Sequence, residues 1–448
     1  MWPSAFCVPA PPDTPDLASR AVLRLKLFIM RTVLKNYLAV FRAFGGNARN
    51  FLLLTFLLSF AQSIFALVFN LYILKLGYTR DFLGTLGAIP SLTVAALAIP
   101  LAVFIGSVPA RKSLLASLTL SLAAMAGMAL FTGRLPLMLF SVLSGTSAAL
   151  LAITAMPLMA RSSSEQERQH LFSFQFAASM LAGFAGSLVS GWLTGFWGSV
   201  LTAGEESAAA YRLTMLAACA LLLASVLPAL KIKEPQAQGG KHARSPFSAL
   251  ALGPAMVVLA PQFIIAFGAG MIMPYLNIFF KSGFDLHIAS LGFCMSLMPL
   301  AMAAGGLIGP WLVTKIGRVK AMITFQSLSI PFLATMGFSG FLLPTLLAAF
   351  ARTLLMNASW PVYSVFMLSH FPAPQQQAAS ALYTAGWNLA NALSARLSGR
   401  LQMDFGFTLP FLITITCYSA ATLFLSRRFL KEDNKKAVGQ TALKEELE

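Results

Sequence analysis

Eleven stretches of this chain run for about 18 residues or more without an Asp, Glu, Lys or Arg, which is close to the length of a membrane-spanning helix. About 20 apolar residues in a helix cross the hydrocarbon core of a bilayer, and a lipid-exposed segment must satisfy its own backbone hydrogen bonds. We therefore expect an all-α membrane protein. The longest stretch, 353–395, contains a His-Phe-Pro-Ala-Pro run at 370–374 that ends one helix, so this stretch is shared by two helices.

The total is then twelve transmembrane helices. The predicted spans are 51–74, 83–107, 112–132, 135–160, 169–195, 211–230, 254–280, 287–313, 319–340, 342–368, 376–402 and 406–427. Of 32 Lys and Arg residues, 24 fall in the N-terminal arm, the even-numbered connections and the C-terminal tail. The positive-inside rule then predicts a multi-pass protein of the cell membrane with both termini in the cytoplasm.

The net charge of +17 is explained by a basic cytoplasmic face beside anionic lipid, so no nucleic-acid partner is expected. Residues 16–44 are predicted to form a helix with its cations on one face, either lying in the membrane interface or serving only as a topology signal. The four cysteines lack disulfide or metal-ligand spacing, so no metal and no cofactor are expected. A cleaved signal peptide is not expected either.

A shift of 208 positions, which we call the repeat offset, superimposes similar features of the two parts of the chain. Leu83-Gly84 meets Leu291-Gly292, Ser190-Gly191 meets Ser398-Gly399, and Asn70 meets Asn277 at an offset of 207. This repeat predicts two pseudo-symmetric six-helix bundles. The expected organisation is a cytoplasmic arm at 1–50, bundles at 51–230 and 254–427, a cytoplasmic linker at 231–253 and a cytoplasmic tail at 428–448.

Two six-span bundles with a basic linker and cytoplasmic termini resemble the major facilitator superfamily. The superfamily's loop signature joins a glycine-rich helix end and an acidic residue to a basic core between helices two and three, and it recurs in the second bundle. Here the second copy reads PWLVTKIGRVK at 310–320 and supplies the candidate gating residues Lys315, Gly317, Arg318 and Lys320. The first copy, AVFIGSVPARK at 102–112, keeps Arg111 and Lys112 but has Gly106 at the acidic position.

The resemblance implies that the acidic residue of this loop biases the transporter toward its outward-facing state. The N-terminal copy lacks that residue, so Arg111 and Lys112 are expected to act mainly as topology anchors.

Arg352 lies near the middle of predicted helix ten, where a cation usually faces a partner or a wet cavity. Met356, Ser359 and Tyr363 follow on the same helix face. The resemblance implies that helices one, four, seven and ten line a central cavity. Arg352 is therefore a candidate anion-binding residue, through charge-assisted hydrogen bonds to a carboxylate, phosphate or sulfate. The alternative is that Arg352 bonds backbone carbonyls between helices.

Polar and aromatic side chains on four other helix faces complete the candidate substrate site, while the small residues of helices five and eleven are expected to pack helices together. These candidates are Gln62, Ser63, Asn70, Gln262, Asn277, Gln175, Tyr383, Trp387 and Asn391. Arg396 and Arg400, near the outer end of helix eleven, are expected to reach the lipid headgroups.

No carboxylate and no histidine lies at mid-membrane depth, which disfavours proton antiport of a cationic drug. The sequence predicts a monomeric secondary or facilitative transporter that moves a small-molecule substrate by alternating access, with a small organic anion as the preferred class. The alternatives are multidrug-type efflux of amphipathic compounds and a transport-dead scaffold or lipid-handling protein. An enzyme is not expected, because no nucleophile-base pair, phosphate loop or metal cluster is present.

Overall fold

The computed structural model describes residues 44–104, 109–161, 165–202, 206–233 and 252–445. The predicted arm helix and most of the linker lie outside these residues. The described residues form one helix for each of the twelve predicted spans. The helices are α1 (Gly46–Lys75), α2 (Arg80–Phe104), α3 (Ala110–Leu130), α4 (Arg134–Arg161), α5 (Glu165–Val200), α6 (Ala208–Lys231), α7 (Leu252–Ile272 and Leu276–Phe284), α8 (Ile288–Ile316), α9 (Arg318–Phe338), α10 (Leu342–Ser369), α11 (Ala373–Phe405) and α12 (Thr408–Glu445).

Ten of these helices are long and apolar enough, within the described residues, to cross a membrane. The two others, α2 and α11, pack against each other. Helix α12 continues as a helix through most of the predicted tail. The all-helical membrane fold that the sequence predicts is therefore confirmed.

The helix boundaries repeat with the offset found in the sequence. Helices α2 to α5 begin at positions 80, 110, 134 and 165, and helices α8 to α11 begin at positions 288, 318, 342 and 373, so each start recurs at the repeat offset. Helices α3 and α4 end at positions 130 and 161, and α9 and α10 end at positions 338 and 369. The prediction of two pseudo-symmetric six-helix bundles is confirmed. We refer to α1–α6 as the N-half and to α7–α12 as the C-half.

Helix neighbours follow the same repeat. In the N-half, α1 packs on α5 and α6, α2 packs on α4, and α3 packs on α4 and α6. In the C-half, α7 packs on α11 and α12, α8 packs on α10, and α9 packs on α10 and α12. The halves meet along two seams, one between α2 and α11 and the other between α5 and α8.

Glycines bring the helix backbones close together at both seams. A β-carbon at Gly84 of α2 would lie 2.9 Å from the carbonyl oxygen of Ala395 in α11. A β-carbon at Gly292 of α8 would lie 2.7 Å from the carbonyl oxygen of Ser187 in α5. Both members of the second pair are related to members of the first by the repeat offset. The two seams thus have equivalent contacts, related by the repeat offset. Only glycine fits at Gly84 and at Gly292.

Helix α7 is interrupted by a 3₁₀ turn, Met273–Tyr275, that contains Pro274. Proline has no N–H and cannot continue the helical hydrogen bonds, so its neighbourhood needs partners from another helix. Asn70 of α1 donates to the Pro274 carbonyl at 2.7 Å, and Asn277 of α7 donates to the Leu67 carbonyl at 2.8 Å. The predicted span 254–280 is found, with this turn inside it, and the two asparagines join the halves across the turn.

We call the end of the bundle where α1 ends and α2 begins the far end, and the end where α6 ends and α7 begins the linker end. At the far end the Asp81 carboxylate of α2 accepts a hydrogen bond from Arg396 of α11, and Arg400 Nε lies 3.3 Å from the same oxygen. Lys281 of α7 pairs with Glu206. The expectation that Arg396 reaches lipid headgroups is wrong, because a carboxylate of the other half lies beside it.

Candidate functional site

Arg352 is 5 % exposed and lies inside the C-half. Its Nη2 donates to the Tyr418 hydroxyl of α12, and its Nη1 lies 3.0 Å from the sulfur of Met273 at the break in α7. Its Nε is buried and has no hydrogen-bond partner. Two of the five guanidinium N–H groups are therefore used, one of them on a thioether, which is a weak acceptor.

The buried guanidinium also lacks a counter-charge. In the described ranges no carboxylate lies within ion-pair distance of Arg352, and the acidic residues that do form ion pairs, Asp81 and Glu206, lie at the far end. An unpaired buried cation carries a desolvation penalty of about several kcal/mol. The partners seen here are a phenol and a thioether, so the alternative of a guanidinium held by backbone carbonyls does not describe this site.

A cavity of about 170 Å³ adjoins the Arg352 side chain. It lies between five helices of the C-half, α7, α9, α10, α11 and α12. The side chains that line it are Gln262, Ile265, Ala269, Met273, Gln326, Arg352, Met356, Asn357, Ser359, Trp360, Trp387 and Tyr418. Buried donors that lack acceptors therefore face a space large enough for a small polar group.

Besides Arg352 and the tryptophans, the polar lining holds side chains that bond one another and one amide, Gln262, that does not. The Ser359 hydroxyl accepts from Gln326 Nε2 at 3.4 Å, and the Met356 sulfur accepts from Ser329 at 3.3 Å. Gln262 is 6 % exposed and makes no hydrogen bond to the described part of the chain. Its amide can donate and accept, so it is available to a ligand bound beside Arg352.

Four aromatic rings form a cluster next to the cavity. The Trp360 and Trp387 ring centroids lie 5.2 Å apart, edge to face, and Tyr383 lies 6.1 Å from each of them. Tyr363 lies 5.8 Å from Tyr383, and its hydroxyl donates to the Val258 carbonyl at 3.0 Å. Tyr363 is thus held by α7 and supports the cluster from behind.

The N-half candidates lie apart from this cavity. Gln62 is exposed, and Ser63 lies where α1 meets α5, so close that a β-carbon at Gly186 would lie 2.8 Å from its own. Gln175 donates to Ser179 of the same helix at 3.5 Å. None of these three N-half candidates lines the cavity beside Arg352.

Three asparagine candidates also lie outside the cavity. The amides of Asn70 and Asn277 bond each other at 3.0 Å and bond backbone carbonyls of the opposite half. Asn391 lies where α11 crosses α7 at Gly270. The structure brings together Arg352 with the predicted residues Met356, Ser359, Gln262 and Trp387, and it places Tyr363 and Tyr383 directly beside them.

Sequence reasoning missed seven lining residues, of which Ile265 and Ala269 are apolar and do not stand out in an apolar span. Asn357 and Trp360 follow Arg352 within about two helical turns, and Gln326 is an amide in a stretch without charged residues, 321–351, so each carried a signal. Met273 precedes the proline that breaks α7. Tyr418 carried no signal, because its position depends on how α12 packs against α7.

The second loop motif makes a sharp turn between α8 and α9. Gly317 has φ +86°, a conformation that a side chain disfavours, and Arg318 begins the next helix. Lys315 Nζ lies 4.4 Å from the ring centre of Trp311, while Lys320 is exposed. These residues shape and anchor the turn.

The first loop motif is placed differently. Arg111 Nη2 donates to the Leu230 carbonyl at 2.7 Å, which ties the start of α3 to the end of α6 within the N-half. Lys112 is exposed. Gly106 lies outside the described residues.

Comparison with known proteins places this architecture. A model of the family described as Major Facilitator Superfamily matches residues 51–260 and again residues 258–447. No curated protein sequence matches the chain at a significant level.

Solved structures share the fold at low identity. A bacterial homologue of the human lysosomal transporter Spinster, in an inward-facing and occupied conformation, aligns with a TM-score of 0.69 and 14 % identity over 86 % of this chain and 97 % of that one. The nucleoside transporter NupG gives 0.68 and 15 % over 85 % and 99 %, and the human organic anion transporter MFSD10 gives 0.63 and 14 % over 84 % and 99 %. Identities this low establish the fold alone.

Proposed function

Because the chain belongs to the major facilitator superfamily, a family of transmembrane transporters rather than enzymes, we propose that its cargo is a small organic anion bound by Arg352. The observation that carries this proposal is a buried guanidinium with an unused Nε donor, no carboxylate partner among the described residues, and a cavity of about 170 Å³ beside it. A carboxylate or sulfate would supply both the missing charge and the missing acceptors.

We propose that the chain lies in the cell membrane with its linker end facing the cytoplasm. The reason is that 24 of the 32 Lys and Arg residues fall on that side. The seam glycines, the asparagine pair and the Asp81–Arg396 ion pair then close the outer side. Rocking of residues 51–230 of the N-half against residues 254–427 of the C-half would open the outer side. The site would then face each side of the membrane in turn. We take the transporting unit to be one copy of the chain.

A second candidate is export of an apolar or amphipathic compound. A larger cavity of about 890 Å³ lies between α2, α7, α11 and α12, and its lining is almost wholly apolar, including Leu92, Phe263, Phe267 and Leu389. Such a lining suits a hydrocarbon or ring system without requiring charge. One of the similar structures is an organic anion transporter and another is a nucleoside transporter. The fold alone therefore does not determine which class of compound is carried.

Thermal stability of the purified chain with matched ligands tests the proposal. The ligands are 3-phenylpropionate, its neutral amide and 3-phenylpropylamine, which share a skeleton and differ in charge. We expect only the acid to raise the melting temperature of the parent. The acid should not raise the melting temperature of Arg352→Ala, because the anion loses its partner there. Arg400→Ala, which removes a 70 % exposed arginine, is the matched control and should respond as the parent does.

Equal stabilisation of the parent and Arg352→Ala by the amide or the amine would contradict anion recognition. That result would favour the apolar cavity and export of amphipathic compounds.

A further inference from the structure

The aromatic cluster beside Arg352 leaves ring surface uncovered. Trp360 is 45 % exposed, and Tyr383 and Trp387 are half-buried, whereas Tyr363 behind them is 2 % exposed. Trp360 meets Trp387 at 80° and Tyr383 at 67°, so the three rings form walls rather than a stack. Edge-to-face walls of this kind accept a further ring in the geometries that aromatic pairs prefer.

Hydrogen-bond donors in the cluster are also unused. In the part of the chain that the structure describes, the indole N–H groups of Trp360 and Trp387 and the Tyr383 hydroxyl donate to no protein acceptor, in contrast to the Tyr363 hydroxyl, which bonds Val258. Buried tyrosine and tryptophan usually find a partner for their polar group. These donors are therefore available to a ligand or to water.

The cluster and the cation share one cavity. Trp360 and Trp387 line the space of about 170 Å³ that Arg352 also lines. Arg352 and Trp360 are eight positions apart in α10, which puts their α-carbons about 12 Å apart along the helix. A hydrogen bond of about 3 Å at one end and a ring contact of about 5 Å at the other leave a few ångströms for a linker.

The charge of the ligand is limited to one. Among the described residues, Arg352 is the single basic side chain that lines this cavity, and its free polar groups, the Gln262 amide and the two indole N–H groups, are neutral. A dicarboxylate or a phosphate dianion would leave a second negative charge unpaired in a low-dielectric site, which is unfavourable. A monocarboxylate or a sulfate ester matches the available charge.

We propose that Trp360, Tyr383 and Trp387 form a ring-binding subsite, so that the cargo is an aryl monoanion in which a short linker joins an aromatic ring to one carboxylate or sulfate. This inference rests on the proposed binding of an organic anion at Arg352 and adds the chemical class of its other end. The acid lies deep against Arg352, and the ring lies against Trp360 and Trp387.

Competition binding to the purified full chain tests this subsite. The probes are 3-phenylpropionate and 3-cyclohexylpropionate, which share the carboxylate, the linker and nearly the same size but differ in their π system. We expect the phenyl acid to bind about three- to tenfold more tightly to the parent. The ratio should fall to about one in Trp360→Leu and remain in Trp360→Phe, which keeps a ring. Trp192→Leu, which removes a 65 % exposed tryptophan of α5, is the control and should keep the parent ratio.

The ratio of the two affinities is used because a general loss of stability weakens the binding of both acids alike. A ratio near one in the parent, or a ratio unchanged by Trp360→Leu, would overturn the ring subsite while Arg352-dependent binding of both acids leaves the anion proposal standing. If neither acid binds the parent, or both bind Arg352→Ala as they bind the parent, the anion proposal fails and the ring subsite fails with it.

Discussion

The two halves of this transporter are alike where they touch and unlike where they enclose space. Gly84 and Gly399 form one seam and Gly292 and Gly191 form the other, and the repeat offset relates both the helix starts and these close contacts. The cavity beside Arg352 has no such counterpart among the matching positions. At the repeat offset, the counterparts of Arg352, Met356, Ser359, Trp360 and Tyr363 are Ser144, Ala148, Leu151, Ala152 and Ala155.

This difference separates two requirements of alternating access. Rocking needs contacts that can be made and released on both sides of the pseudo-axis, so symmetry in the seams is useful. The proposed binding of an aryl anion uses one cation and one aromatic wall, and a second cation in the N-half would be buried without a partner. The positions paired with Tyr383 and Trp387 are Gln175 and Ser179, so the aromatic wall too belongs to the C-half alone.

The seams themselves differ in charge. Asp81 and Arg396 join α2 to α11, whereas the corresponding positions between α8 and α5 are Ala289 and Leu188. At these matching positions only the α2–α11 seam has an ion pair, while Lys281 and Glu206 form a second ion pair between the halves at other positions.

Making the C-half resemble the N-half at one position gives the largest expected effect. Arg352→Ser should lower counterflow of a bound anion in proteoliposomes by at least about 100-fold, because removing a charge-assisted bidentate partner costs about 3 kcal/mol or more. Ser144→Ala, the matched change in the N-half, should leave counterflow near that of the parent. Equal losses in both variants would show that the two halves share the binding role.

A smaller effect is expected from filling the seams. Gly84→Ala and Gly292→Ala each push a β-carbon against a backbone carbonyl oxygen, and overpacking of this kind destabilises by about 1–3 kcal/mol. Both variants should therefore melt at a lower temperature than the parent, and by similar amounts. Gly87→Ala of α2 is the control, since its β-carbon would meet nothing within 4 Å. A drop in only one of the two seam variants would break the equivalence of the seams.

The smallest effect is expected from the Asp81–Arg396 ion pair, which has no counterpart at the matching positions of α8 and α5. Asp81→Asn should favour opening of the far end by up to about 1 kcal/mol, or about fivefold in the open-to-closed ratio, since partly exposed ion pairs contribute little. Distances between spin labels at Thr79 and Met403, in a variant without native cysteines, measure that ratio. Asp285→Asn, at an exposed far-end carboxylate without an ion pair among the described residues, should leave the distances unchanged.

Much of the fold was predictable because bilayer thickness fixes helix length, and α10 begins and ends within one residue of its predicted span. The break in α7 was not predictable from Pro274 alone. Membrane helices tolerate proline when neighbouring groups satisfy the freed backbone. Other prolines lie inside helical segments without interrupting them, among them Pro90, Pro100, Pro228, Pro261, Pro331 and Pro361.

The candidate site was predictable only where a residue type is unusual for an apolar membrane span. Arg352 is a cation in an apolar helix, and that conflict is visible in the sequence. Tyr418 fits an apolar helix well, so nothing marks it until α12 is packed against α7. Arg396 was misplaced for a related reason, because its partner Asp81 is 315 residues away in the chain and only the fold brings the two together.

The exchange between Asn70 and Asn277 has an evolutionary consequence. Each asparagine donates to a carbonyl of the opposite half, Pro274 or Leu67, which is the self-complementary pattern of an interface between two identical subunits. In such a dimer any substitution occurs on both sides at once, so an arginine equivalent to Arg352 would bring two unpaired cations. Fusion into a single polypeptide removes that constraint. One half can then change around its cavity while the contacts between the halves stay alike.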